Sequence, residues 1–389
     1  MLSCQKHLFS LPSDVHYFNA ASLSPSPSAV EAAGLEALRR KSQPHRLQSL
    51  DWFTDADRAK SLFAQLIHGT DPARIALIPA VSYGMATVAN NLKIKPGLRE
   101  NQRILLIGEE YPSDVYAWED VCRERNLTTL TIAAPAGGEG RGSRWNRAIL
   151  EAIDETVCLV VVPPLHWTDG TLFDLKTIRE QATAVGAWLA VDATQTIGAY
   201  PFNVEAIQPD ALVCAGYKWL LGGYGLGFAY FGPAFDGGQP IEQNWINRAN
   251  SDDFSRLIDY QTEYRPGAAR YSAGEHSNFI LLPMLITALQ QLLTWTPEDV
   301  QIYCRELVAP FVSQWEKLGF RLEDEAFRAS HLFGLRPPVG TNLATLRQEL
   351  TRRQVYVSVR GDAIRVSPHV YNDARDLEAL TEALRAVVN

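Results

Sequence analysis

Residues 188–231 read WLAVDATQTIGAYPFNVEAIQPDALVCAGYKWLLGGYGLGFAYF, and this stretch decides the fold. Its three apolar runs, WLAVDA, ALVCAG and LGFAYF, do not alternate with polar residues. Strands covered by helices on both faces need that pattern, since neither face meets water. Upstream, RIALIP (74–79), RILLIG (103–108), TLTIAAP (129–135) and TVCLVVVPP (156–164) repeat it between helical segments. The alternation predicts an α/β chain with a mostly parallel seven-stranded sheet covered by helices. Ligands are expected along the edge where the strands' carboxyl ends lie.

Toward the start, SLSPSPS (22–28) reads as a loop before a helix beginning near Ala29. From about residue 276 the pattern changes to a long helix, SNFILLPMLITALQQLLTW, and a second helix. The short runs FRLED, HLFGLRP, VYVSVRG and AIRVSPH follow, then a closing helix. A chain of 389 residues exceeds what one core usually serves. The expected division is a large domain over 15–275 and a smaller α+β domain over 276–389, with residues 1–14 packing on the second.

Hydrophobic residues make up 46% and charged residues 21%, which suits a folded chain with a generous interior. The net charge of -8 comes without a basic block, so no nucleic-acid partner is expected. No apolar run reaches the roughly 18 residues that span a bilayer. The start, MLSCQKHLFSLPSDVHYF, lacks the apolar stretch of a signal peptide, so the expectation is a cytoplasmic protein without a membrane partner. Five cysteines lie scattered without CxxC spacing, which predicts neither disulfides nor a metal site, and Cys158 and Cys214 read as packing residues.

Two side chains suggest chemistry. Asp192 ends one apolar strand at the ligand edge, and Lys218 follows the next among aromatic residues and glycines. Apolar surroundings lower a lysine pKa and suit it to Schiff-base chemistry. A carboxylate on the pyridinium nitrogen and a lysine on the carbonyl carbon are the two contacts that pyridoxal 5′-phosphate (PLP) needs. Taken singly, Asp192 also reads as a helix cap or a loop hydrogen-bonding group, and LLGGYGLG as a hairpin turn.

Four segments occur in order: YFNAASLSPSPSAV, VDATQTIGAYPFNV, AGYKWLLGGYGLGFAYF and VRGDAIRVSPHVYN. Over most of the chain they resemble the class V aminotransferase family of fold-type I PLP enzymes, which includes cysteine desulfurases, kynureninases and isopenicillin-N-epimerase-like members. The resemblance implies that Lys218 holds PLP as a Schiff base, Asp192 pairs with its pyridine nitrogen and Gln195 bonds its phenolic oxygen. It implies that Val81 and Ser82, where a helix begins in IPAVSYGMATVANNL, bind the phosphate; the other reading of Ser82 is an ordinary N-cap. Tyr217 then reaches the phosphate as in kynureninases, and Tyr111 in GEEYPSDVYAW stacks on the cofactor and joins Lys218 and Asp192 as catalytic. Arg365 matches the family arginine on the substrate α-carboxylate, Asn19 a substrate-side residue, and Trp167 a cofactor-edge position or a core residue. Ser277 matches a phosphate ligand reaching across a homodimer.

The departures from the family pattern narrow the function. The phosphate loop, Ala80, Val81 and Ser82, carries one hydroxyl. Position 111 has tyrosine where desulfurases have histidine, and a phenol is a poorer base near neutrality. VRGDAIRV lacks the cysteine that accepts sulfur in a desulfurase. The expectation is therefore an aminotransferase-like enzyme on a small amino acid. The alternatives are a cysteine or selenocysteine lyase, a kynureninase-like lyase or an epimerase without a catalytic cysteine, and, outside enzymes, a catalytically silent PLP-binding protein. The segment 243–278 is expected to shape the pocket, with Arg248, Arg270 and His276 as substrate contacts or surface residues.

Overall fold

The computed structural model describes residues 2–136 and 138–388. All seven apolar runs form strands of one sheet. Across it they are ordered Ile75–Ile78, Gly227–Phe231, Ala211–Ala215, Trp188–Asp192, Val157–Val161, Arg103–Ile107 and Thr128–Ile132. Gly227–Phe231 is antiparallel to both neighbours, and the other contacts are parallel. The exception follows from chain length, because residues 216–226 are too few for a crossover helix and the chain can only double back.

Burial on both faces explains the continuous apolar runs. Leu189, Val191 and Leu212 share one interior with Phe63 and Leu289, whereas Ala190, Val161 and Val213 face Met85, Val88 and Trp118 on the other side. Each such aliphatic side chain contributes about 1.5–3 kcal/mol when removed from water. No helix among the described residues is long and apolar enough to cross a membrane.

A second layer lies toward the C-terminus. Ser358–Arg360, Ala363–Val366 and Phe333–Leu335 form an antiparallel sheet backed by helices Pro297–Lys317 and Ala374–Arg385, with Trp315, Phe320, Ile364 and Leu380 in its own core. Two short runs depart from expectation. FRLED contributes only an isolated bridge, Arg321 to Arg336. VYVSVRG splits, as Val355–Tyr356 pairs parallel with His16–Tyr17 and only Ser358–Arg360 joins the sheet. The N-terminal segment docks near this layer through the Gln5 amide, which donates to the Val370 carbonyl at 2.7 Å. Helix Leu281–Trp295 buries Leu285, Leu289 and Leu292 in the core of the large sheet. We therefore propose a division later than residue 276, near Val308, where the separate apolar cluster takes over.

Candidate active site

The loops that leave the parallel strands at residues 79–82, 108–113, 163–167, 192–195 and 215–218 enclose a cavity of about 170 Å³. Asp192 ends its strand, and one carboxylate oxygen accepts from the Thr194 amide at 2.9 Å. The Thr194 hydroxyl in turn accepts from the Ala215 amide at 3.0 Å, which ties the Asp192 turn to the strand leading into Lys218. That turn closes tightly: Gly198 has φ +102°, and a Cβ there would stand 2.3 Å from the Trp219 carbonyl oxygen. Only glycine allows the two loops to approach so closely.

Lys218 is 8% exposed, and its ammonium lies 5.4 Å from the Tyr111 ring centre and 5.6 Å from that of Tyr217. Burial lowers its pKa to about 8, against the attraction of Asp192. Burial raises the Tyr111 phenol, with Asp192 adding to the effect, and pushes Tyr217 up to about 12. The Tyr111 ring meets Trp167 edge-on at 5.7 Å. Gln195 is buried; its carboxamide donates to the Ala21 carbonyl at 3.1 Å and accepts from the Trp219 indole at 2.8 Å, which leaves one amide N–H free. Helix Val81–Leu92 begins at the cavity with Ala80 as its cap, so Ser82 stands in the first turn and is not the N-cap. The first amides of a helix have no intrahelical acceptor and favour an anion.

Lys218, Asp192, Gln195, Val81, Ser82, Tyr111 and Tyr217 therefore surround one cavity, and Trp167 lines it as well. Arg365 and Asn19 stand outside the cavity lining. The Arg365 guanidinium donates to the Trp167 carbonyl at 3.0 Å and to the Ser22 hydroxyl at 2.5 Å, and Asn19 accepts from the Ser358 hydroxyl at 2.8 Å. Ser277 borders a separate hollow and donates to the Trp52 carbonyl. Arg248 and Arg270 lie over Tyr264, and His276 bonds the Ala273 carbonyl; none of the three lines this cavity.

Two acids were not anticipated. Glu110 lines the cavity with one oxygen on the Tyr111 amide at 2.7 Å, and burial raises its pKa to about 7. Asp114 is fully buried, and among the described residues neither of its oxygens accepts from a donor. Burial, then the charges of Asp192 and Glu110, raise its pKa well above the usual carboxylate range. In the sequence, EEYPSD reads as a polar loop. Only the fold brings its acids beneath Asp192.

This donor set fits PLP. The helix start suits a phosphate, Lys218 a carbonyl carbon, Asp192 a pyridinium nitrogen and the free Gln195 N–H a phenolic oxygen. Residues 15–242 match the family model described as Aminotransferase class-V. An uncharacterized aminotransferase of Bacillus subtilis is 25% identical, over 84% of this chain and 82% of its own. Isopenicillin N epimerase of Amycolatopsis lactamdurans is also 25% identical, over 82% and 81%. A cysteine desulfurase from Thermococcus onnurineus superposes with a TM-score of 0.84 at 18% identity, covering 100% of this chain and 99% of that one, and so shares the fold.

Proposed function

The chain belongs to the class V aminotransferase family, and on that premise we propose that it is a PLP-dependent enzyme that transfers the amino group of a small amino acid. The observation that carries this reading is Lys218, buried and held at about pKa 8 at the same cavity as Asp192. When bound, PLP supplies an electron sink that weakens the bonds at a substrate's α-carbon.

Each residue's part follows from its surroundings. Lys218 is substantially neutral near pH 8, so its amine serves as nucleophile and then as proton carrier. Asp192, fixed by the Thr194 amide, would face the ring nitrogen, with the buried carboxyl of Asp114 beside it, its pKa raised by burial and then by the charge of Asp192. Val81, Ser82 and Tyr217 would hold the phosphate and Gln195 the phenolic oxygen, and the Tyr111 ring would orient the cofactor. Arg365 presents a fork to the α-carboxylate, with Asn19 on the substrate side. Cys158, Cys214 and Cys304 are buried with their thiols pushed up by burial, and no cysteine lines the cavity, which opposes a persulfide-forming desulfurase. We also take the enzyme to act as a homodimer, with Ser277 reaching the partner's phosphate site. Ile258 and Tyr260, 81% and 92% exposed, are apolar surface available for that contact.

Visible spectra of the purified protein, borohydride reduction and peptide mapping test the cofactor and its attachment. A reducible chromophore on Lys218 is expected; attachment to another lysine refutes the assignment. Incubation with L-amino acids then separates the reactions. Turnover that requires a keto-acid acceptor supports transfer, while product released without one identifies a lyase, and D-amino acid an epimerase. No turnover with any substrate leaves a silent binding protein.

A further inference from the structure

Ser358–Arg360 and Ala363–Val366 pair antiparallel around the Gly361-Asp362 turn, with Ser358 opposite Arg365 and Arg360 opposite Ala363. Opposed residues share a face, as do residues two apart on a strand, so Ser358, Arg360 and Arg365 project from one side as near neighbours. Both guanidinium carbons approach the same indole: Arg360 lies 5.6 Å and Arg365 5.9 Å from the ring of Trp167, which lines the cavity.

Among the described residues, neither guanidinium has a carboxylate within ion-pairing distance, and the Nε of each is buried without a partner. Their other bonds go to neutral oxygens. Arg365 donates to the Trp167 carbonyl and the Ser22 hydroxyl, and Arg360 to the Val359 carbonyl at 3.1 Å. The nearby acids are engaged elsewhere or stand off. Asp362, in the turn itself, pairs with Arg336 at 3.2 Å, and Asp169 lies between Arg141 at 2.9 Å and Arg336 at 2.5 Å. The exposed Glu109 carboxylate stands near Gly361, 3.8 Å from where a Cβ there would lie, without pairing with either arginine among the described residues. Two cations placed diagonally on one face repel, and burial makes the repulsion stronger. Burial and the neighbouring Arg360 together lower Arg365 to about 9.

We propose that Arg360 is a specificity residue, and that Arg360 and Arg365 form a two-point site for a dianionic substrate, an amino acid whose side chain ends in a carboxylate or an isosteric acid. Arg365 takes the α-carboxylate, so the inference rests on the reading of Arg365 given above, and Arg360 takes the side-chain anion. Diagonal neighbours of a β ladder stand roughly 7–8 Å apart and long side chains converge from there, a spacing that a four- or five-carbon dicarboxylate bridges.

The test is calorimetric titration of the holoenzyme with succinate and glutarate against butyrate and valerate, none of which can react. The dicarboxylates are expected to bind about ten- to a hundredfold more tightly, the scale of one charge-assisted hydrogen bond. Arg360→Gln should erase that preference and leave the monocarboxylates unchanged, Arg360→Lys should keep part of it, and Arg365→Gln should weaken both classes. Near-UV dichroism of each variant checks the fold. Equal binding of the two classes, no measurable binding, or a preference that survives Arg360→Gln overturns the proposal. Monocarboxylate binding that falls with either substitution does so too, because one carboxylate then bridges both arginines. If Arg365→Gln changes nothing, the assignment of Arg365 fails as well; if it weakens binding while Arg360→Gln does not, only the two-point site fails.

Discussion

Replacing Lys218 by methionine probes the electrostatics of the cavity without any need for turnover. The folded apoprotein holds this lysine at about 8 against an ordinary 10.5, a gap of 10.5 − 8 = 2.5, because burial disfavours the ammonium. At about 1.36 kcal/mol for each pKa unit the charged lysine costs the fold about 3.4 kcal/mol. Below pH 8 both folded and unfolded chains carry the proton, so the cost is fully present. Between 8 and 10.5 the unfolded chain binds more protons than the folded one, and stability rises with pH. Above 10.5 the cost is gone. Lys218→Met removes the charge and keeps a flexible stem of similar length. The apo variant should therefore exceed the apo wild type by about 3 kcal/mol at pH 7, and by only about 1.4 kcal/mol at pH 9.5, where one unit of the gap remains. Urea unfolding of both apoproteins at the two pH values measures this. A difference that does not change with pH, or a wild type that is the more stable at pH 7, refutes the reasoning.

Tyr111→Phe keeps the ring beside Lys218 and removes a phenol whose pKa burial has already raised. Rate against pH should keep its shape, whereas Tyr111→Ala, which loses the stacking surface, should lower kcat/KM by about tenfold or more. Gly198→Ala forces a Cβ to 2.3 Å from the Trp219 carbonyl at a φ of +102°. It should cost about 1–3 kcal/mol in unfolding experiments and disturb the Lys218 spectrum; an unchanged spectrum would show that the turn does not position the lysine.

The large sheet was legible because its inner strands are buried on both faces, although the edge strand Thr128–Ile132 is largely exposed, and a run such as CLVVV admits few other structures. The ligand edge followed from the parallel order, and Lys218 and Asp192 from their places at strand ends. What stayed hidden depends on contacts between distant segments. Nothing near FRLED reveals that Arg321 meets Arg336 in a single bridge. Ser82 has the composition of a cap, but the extended backbone at Ala80 starts the helix earlier. Asp114 and Glu110 sit in a polar run that reads as surface, yet the chain folds them into the interior beside Asp192, where burial raises the pKa of both and the charge of Asp192 adds to it. The paired arginines were similarly divided: Arg365 stood out by resemblance, while the orphaned state of Arg360 is visible only once the positions of the surrounding acids are known.

The choice between transfer and epimerisation turns on how many bases face the cavity. Transfer needs one group that takes a proton from one atom and returns it to another, while inversion of a centre needs a second base on the opposite face. Of the lining groups, Tyr217 is pushed up to about 12 and Tyr111 is raised as well, so neither accepts a proton near neutrality. His331 is occupied at both ring nitrogens, by Gln195 and Gln301, and lies outside the cavity. Among the described lining residues apart from Asp192, Glu110, raised to about 7 by burial, is the rival to Lys218: one oxygen accepts from the Tyr111 amide, while the other is buried without a partner. On the transfer reading, Lys218 is expected to act as the working base. In deuterium oxide the enzyme should exchange the α-proton of its L-substrate with retention of configuration, measurable by NMR on the recovered amino acid. Accumulation of the D-isomer would mean that a second base acts, and Glu110→Gln would then suppress inversion while sparing exchange.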